Sequence, residues 1–145
     1  YETFDDSGQP FAVAGTLLHS GTMFLLLPSA TNFAFAGVFF HSLRGTPLVE
    51  HFARLSKPNL PADEVSYCRS LTKIWGVFMI IIGGIGIVLA VAAPMTMWLL
   101  YAGVISYLLV GLLFAVEYVV RKWRFRDYGR NPLDWALSRV FPPRV

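Results

Sequence analysis

The longest uncharged stretch of this chain covers residues 74–116, which hold 43 residues and no Asp, Glu, Lys or Arg. As one α-helix it would be about 65 Å long, whereas the hydrocarbon core of a bilayer is about 30 Å thick. The stretch is therefore long enough for two membrane spans. Pro94 interrupts it near the middle, and Thr96 is suited to cap a new helix. We interpret residues 74–91 and 97–120 as the arms of a transmembrane hairpin.

A second uncharged stretch precedes the hairpin, over residues 11–43. It is too long for one straight span and too short for two spans with a turn. We place one transmembrane helix at residues 17–43, with a kink at Pro28, because proline removes a backbone donor. A re-entrant half-helix turning at residues 28–32 is the alternative. Only 14% of all residues are charged, which leaves no separate soluble domain, so the sequence predicts an all-α integral membrane protein with three transmembrane helices.

The twelve Lys and Arg residues all lie in two segments, residues 44–73 and 121–145. Because positive charge is enriched on the cytoplasmic side of membrane proteins, the sequence predicts a cytoplasmic loop and a cytoplasmic tail. The N-terminal segment and the turn at Pro94 then lie outside. We expect a multi-pass protein of a bacterial inner membrane. Membrane lipids account for the basic excess, so nucleic acid is not an expected partner.

Two amphipathic surface helices are predicted on the cytoplasmic side. The first has Thr46 as its N-cap, and its apolar residues recur at helical spacing: Leu48, Phe52 and Leu55. The second covers residues 132–141, with Asn131 as its N-cap and Pro132 in the first helical position. Between the two, a helix that restarts after Pro61 is expected to run without a break into the second span.

Glu117 is the acidic residue nearest to the predicted membrane core, where a carboxylate usually has a partner or a function. The favoured interpretation is an ion pair with Arg121, one helical turn further on, or with Arg69 or Lys73 on the neighbouring helix. A role in handling a substrate or a proton is the alternative.

Asn32 lies within the first span and needs a hydrogen-bond partner in lipid, for which Ser106 and Tyr107 are candidates. Pairs of small residues four positions apart predict close packing of the three spans. These pairs are Ala30 with Ala34, Gly86 with Ala90, and Ala102 with Ser106.

His19 and His41 lie 22 residues apart in the first span, or about 33 Å along a helix, so they cannot share one metal. Each is a weak candidate for axial ligation of a pigment or haem, and an interfacial polar role is favoured. No metal-ligand cluster has zinc or iron spacing, and Cys68 stands alone. Since no nucleophile or phosphate-binding motif is present, a non-enzymatic chain is the favoured interpretation, with no cofactor assigned.

Several short motifs combine along residues 25–125. Among them are Leu27-Pro28, Thr46-Pro47-Leu48-Val49-Glu50, Tyr67-Cys68-Arg69-Ser70-Leu71-Thr72, Trp98-Leu99-Leu100-Tyr101 and Glu117-Tyr118-Val119-Val120-Arg121. The combination resembles a family of small, uncharacterised bacterial inner-membrane proteins, often encoded near ketosynthase and acyl carrier genes of aryl-polyene or lipid type. The resemblance implies an accessory membrane component. It also singles out a candidate polar cluster: Glu117, Arg121, Arg69, Thr72, Glu50, Arg54 and Asn32.

These observations predict a non-enzymatic accessory or scaffold subunit of an inner-membrane complex, which docks membrane-protein partners at the cytoplasmic face. One alternative is a membrane component that handles a lipid-linked or polyene substrate, with Glu117 and nearby arginines as the working groups. A weaker alternative is a small pigment- or haem-binding subunit that uses His19 or His41.

Overall fold

The structure is a computed structural model that describes residues 21–129 and 131–142. Over these residues it contains helices and no strands, which confirms the predicted all-α class. The helices are α1 (Thr22–Ser42), α2 (Leu48–Ser56), α3 (Ala62–Ala92), α4 (Met95–Phe125) and α5 (Pro132–Val140). Three of them, α1, α3 and α4, are long and apolar enough to cross a membrane, as predicted.

The described Lys and Arg residues all lie at one end of the helical bundle, where α1 ends, α3 begins and α4 ends. We call this end, formed by residues 43–73 and 117–142, the basic end. At the opposite end, Ala93 and Pro94 join α3 to α4 in a tight turn. Pro94 is the N-cap of α4, so the prediction that Thr96 caps this helix is wrong.

Helix α1 continues through Pro28 to Ser42, which rules out the re-entrant alternative. Its first predicted residues, 17–20, lie outside the described residues. Helix α3 begins at Ala62, directly after Pro61, and runs unbroken through the second predicted span, as expected.

Glycines of α3 bring this helix close to α1. A Cβ atom built on Gly83 would lie 3.2 Å from the Asn32 Cβ and 3.3 Å from the Ser29 carbonyl oxygen. A Cβ atom on Gly86 would lie 2.5 Å from the Ser29 Oγ, and one on Gly76 would lie 2.9 Å from the Phe40 ring. Small residues allow two helix backbones to approach this closely. Close packing is important in lipid, because no hydrophobic effect drives the helices together there. The α1–α3 pair is therefore the tightly packed part of the bundle.

The face of α1 that meets these glycines differs from the predicted one. Ala30 and Ala34 are exposed, so the prediction that this pair packs against a neighbouring helix is wrong. Ser29 and Ala36 are buried instead, each with 3% of its surface exposed. The spacing of small residues therefore indicated the correct helix but the wrong side of it.

Helix α4 meets α3 near the Pro94 turn and then leaves it. The Tyr101 hydroxyl donates a hydrogen bond to the Ile82 carbonyl oxygen at 2.8 Å, and Tyr101 is buried. Tyr101–Ile105 form a π-helical turn within α4. Beyond Tyr101, no described residue of α4 is buried. Toward the basic end α4 contacts α3 through side chains, such as the Phe125 and Tyr67 rings with centroids 5.3 Å apart, and none of its own described residues there is buried.

Side chains of α1 and α3 fix the beginning of α2. The Leu48 N–H donates to the Ser42 Oγ at 3.0 Å, and the Val49 N–H donates to the Thr72 Oγ1 at 3.3 Å. The N-cap is Pro47, so the prediction that Thr46 caps this helix is wrong. Tertiary contacts here satisfy the free N–H groups that a local cap would otherwise satisfy.

A buried carboxylate holds α5 against the end of α4. Asp134 accepts hydrogen bonds from the Tyr118 hydroxyl, from Lys122 Nζ at 3.0 Å and from the Gly129 N–H at 2.5 Å. The predicted N-cap Asn131 and first-position Pro132 are confirmed. Large apolar side chains elsewhere on α5 are exposed: Leu133, Trp135 and Val140.

Candidate functional site

A cavity of about 760 Å³ lies at the basic end between α1, α2, α3 and α4, and we call it the basic-end groove. Its deeper walls are apolar and include Phe35, Phe39, Trp75, Met79, Val110 and Phe114. Its mouth is charged and includes Lys57, Glu64, Glu117, Arg121, Lys122 and Asp127. Small-molecule sites in proteins measure about 300–1,000 Å³ and combine apolar walls with a few polar groups. The groove has this size and composition.

Large aromatic rings in the apolar walls of this groove fill the space between the three long helices. The Trp75 ring stacks on Phe39 with centroids 6.1 Å apart and meets Phe114 of α4 at 4.5 Å. Trp75 itself is only 5% exposed. Since glycines hold α1 and α3 together, the rings on their shared face point toward α4 and keep its backbone at a distance. The groove therefore results from small residues at the α1–α3 interface and large residues between these two helices and α4.

On α4 the groove is lined from Phe125 to Val110, and its part below the mouth extends from Arg121 to Val110. Arg121 and Val110 are eleven positions apart, or about 16 Å at 1.5 Å per residue. Half of the hydrocarbon core of a bilayer is about 15 Å thick. With its charged mouth at the membrane surface, the groove thus reaches the middle of the membrane.

Lys57 joins three segments across the mouth. Its Nζ lies 2.8 Å from Glu64 of α3 and 3.5 Å from Asp127, which follows α4. The hydrogen bond with the Glu64 carboxylate is the largest influence on this ammonium group and raises the pKa of Lys57 above its usual value. The side chain is nonetheless 44% exposed, so water screens these ion pairs. The contacts close the mouth on one side without sealing it.

Glu117 pairs with Arg121 at 2.8 Å, the partner that the four-residue spacing predicts. The Arg121 guanidinium also lies 5.8 Å from the centre of the Tyr67 ring. Arg69, which was also a predicted partner of Glu117, donates instead to the Leu43 carbonyl oxygen at the end of α1, at 2.6 Å. Of Arg121 and Arg69, only Arg121 lines the groove.

The remaining residues of the predicted polar cluster lie apart from this pair. Glu50 is buried and pairs with Arg54 at 2.6 Å within α2. Thr72 is fully buried, where its hydroxyl accepts from α2 and donates to the Cys68 carbonyl oxygen. Asn32 lies toward the other end of the bundle. The structure therefore brings Glu117 and Arg121 together in the groove and distributes the other residues over separate helix contacts.

Asn32 lines a second, much smaller cavity of about 20 Å³. Ser106, one of its predicted partners, lines the same cavity, together with Ser29 and Tyr101. A space of this volume holds a single water molecule. Among the described residues, however, no hydrogen bond joins Asn32 to either predicted partner: the Ser106 hydroxyl donates to the Ala102 carbonyl oxygen at 3.1 Å, and Tyr107 is exposed.

The sequence interpretation missed the role of Asp134, which is 2% exposed. The hydrogen bond from the Tyr118 hydroxyl is the main influence that lowers the pKa of Asp134, and bonds from Lys122 and Gly129 act in the same direction. Lys122, although it lines the mouth, is thereby engaged by this carboxylate. An acidic residue near a helix start is ordinarily a favourable charge for the helix dipole, and nothing in the spacing of Asp134 indicates a buried network.

His41 is exposed in the last turn of α1, and His19 lies outside the described residues. Within residues 21–129 and 131–142, no three His, Cys, Asp or Glu residues gather where a metal ion would bind. Comparison with protein-family models, curated proteins and solved structures finds no match for this chain. The family resemblance, pigment binding and partner docking therefore stay predictions.

Proposed function

We propose that this chain is a membrane component that binds one amphiphile, with its hydrocarbon chain in the basic-end groove and its polar head at the mouth. This corresponds to the predicted handling of a lipid-linked substrate. The observation that supports it most is the match between the depth of the groove, about 16 Å, and the thickness of one leaflet. By the positive-inside rule, the amphiphile enters from the cytoplasmic leaflet.

The surroundings of the mouth also favour a ligand from the bilayer. Phe52 and Leu55 of α2 are 61% and 72% exposed, and Leu133 and Val140, seven positions apart on one face of α5, are each 66% exposed. Amphipathic helices with such faces lie in the headgroup region of a membrane. A lipid that diffuses in this leaflet therefore meets the groove without leaving the membrane.

The experiment compares two tryptophan substitutions on α4. Val110 lines the deep part of the groove, whereas Leu112 is 60% exposed on the lipid-facing side of the helix. The protein is purified in mild detergent from its native membrane, and bound lipid is measured by native mass spectrometry. We expect one retained amphiphile per chain in the wild type and in L112W, and at least a tenfold lower occupancy in V110W.

Equal retention in V110W and L112W would contradict the proposal, because it would mean that the lipid binds elsewhere on the surface. A wild-type chain that emerges free of lipid under conditions that preserve its helicity would also contradict it. Circular dichroism and gel filtration of the three proteins show whether the variants fold.

A further inference from the structure

The basic-end groove has one polar group that is suited to receive a ligand head. Arg121 uses its Nε to contact Glu117, at 2.8 Å. Among the described residues, its two terminal nitrogens have no hydrogen-bond acceptor, and its side chain is 31% exposed. A guanidinium presents these nitrogens in a planar fork that matches phosphate and carboxylate oxygens.

The other cations of the mouth are engaged. Lys122 donates to the Asp134 carboxylate at 3.0 Å and to the Asp127 carbonyl oxygen at 2.6 Å. Lys57 is held between Glu64 and Asp127. Arg121 is therefore the lining cation whose donors remain available toward the groove.

The charge of the whole basic end favours a negative head. The described residues there include ten Lys and Arg and six Asp and Glu. The resulting positive potential attracts anionic headgroups, although each paired carboxylate at the mouth weakens it locally. A head at Arg121 would place the first part of its hydrocarbon chain against Phe114, seven residues or about 10 Å deeper along α4.

We infer that the groove selects an amphiphile with an anionic head, a phosphate or carboxylate on a membrane lipid, and that Arg121 binds this head. The inference rests on the proposed function, since it names the class of ligand for the same groove. A lipid of the leaflet is the source, because a free anion has no part that would fill the apolar depth.

The test uses nanodiscs with equal amounts of phosphatidylglycerol and phosphatidylcholine that carry identical acyl chains. Lipid retained after release into mild detergent is measured by native mass spectrometry. We expect the wild type to retain the anionic lipid with at least a tenfold preference, which corresponds to about 1.4 kcal/mol. We expect the preference to fall to within about twofold in R121Q, while total occupancy by either lipid persists.

Arg124 gives the matched control, because it lies three residues further along the same helix and outside the lining of the groove. R124Q removes the same charge and should keep the preference. R121Q leaves the Glu117 carboxylate without its partner, so the double variant E117Q/R121Q is measured as well. It removes both charges and should lose the preference without the cost of an unpaired carboxylate.

The outcomes separate the two proposals. Retention of one lipid without preference in the wild type would overturn the headgroup inference and leave the groove as a chain-binding site. Loss of preference in R124Q equal to that in R121Q would overturn the role of Arg121 in favour of general surface charge. No retained lipid in any protein would overturn the proposed function itself. Displacement of the lipid by millimolar inorganic phosphate would contradict a ligand whose chain contributes to binding.

Discussion

Two adjacent glycines of α3 offer a direct test of how α1 and α3 pack. A Cβ atom on Gly83 would meet Asn32 Cβ at 3.2 Å, and the Phe33 ring and the Ser29 carbonyl oxygen at 3.3 Å each. A Cβ atom on Gly84 would meet nothing within 4 Å. Carbon atoms in favourable contact are about 3.5–4.0 Å apart, so even one added methyl group at the first position is tight.

Leucine is substituted at each position in turn. In G83L the added branched side chain must enter space that the α1 backbone and the Asn32 Cβ already occupy, and no change of rotamer moves those atoms. Overpacking of this kind costs about 1–3 kcal/mol and occasionally more. Replacing glycine by leucine within a helix gains somewhat under 1 kcal/mol from propensity, and this gain is the same for both variants. The difference between G83L and G84L therefore isolates helix packing.

Unfolding is followed by circular dichroism as sodium dodecyl sulfate replaces a mild detergent. We expect G83L to be less stable than G84L by about 1–3 kcal/mol or more, and G84L to be at least as stable as the wild type, with a gain of up to about 1 kcal/mol. Equal stability of the two variants would refute the close approach of α1 and α3. A destabilised G84L would refute the assignment of this position to the lipid-facing side.

Two further perturbations test the helices that frame the groove. In Y101F, loss of the hydroxyl that bonds the Ile82 carbonyl should cost about 0.6–1.7 kcal/mol, as for other hydrogen bonds between membrane helices, and the same detergent titration measures it. An unchanged midpoint would mean that this bond does not anchor α4. The second concerns the carboxylate of Asp134, whose pKa is lowered from an ordinary value of 3.8. Its contribution to the docking of α5 is fully present above that pH and is lost as the pH falls through the lower folded pKa. The protection of the α5 amides, which is the slowing of their exchange relative to the intrinsic rate at the same pH, should therefore decrease below about pH 3.8 in the wild type, whereas D134N should show low protection at pH 6 as well. Slow exchange of α5 in D134N at pH 6 would contradict the anchoring role.

Much of the fold could be predicted from the sequence because membrane spans obey strong local constraints. The uncharged run over residues 74–116, with one proline in it, was sufficient for the α3–α4 hairpin. The i,i+4 pair of Glu117 with Arg121 also follows from spacing alone. Such features depend on neighbours along one helix, and one sequence shows those neighbours directly.

The groove could not be predicted in the same way, because it depends on which sides of three helices face each other. Trp75 and Phe114 are far apart in the chain, and their hydropathy alone does not distinguish a lipid-facing ring from one between helices. The caps of α2 were missed for a similar reason. Ser42 and Thr72 belong to other helices, while the sequence indicated the local Thr46. Contacts between elements set these features, and their residue types are ordinary in isolation.

The most direct test of the account is a structure of the full chain, crystallised from a lipidic mesophase that contains phosphatidylglycerol. The account predicts chain-shaped density in the basic-end groove, along Phe114 and down to Val110, with its head beside Arg121. A structure in which α4 packs directly over Trp75 and leaves no groove would contradict it.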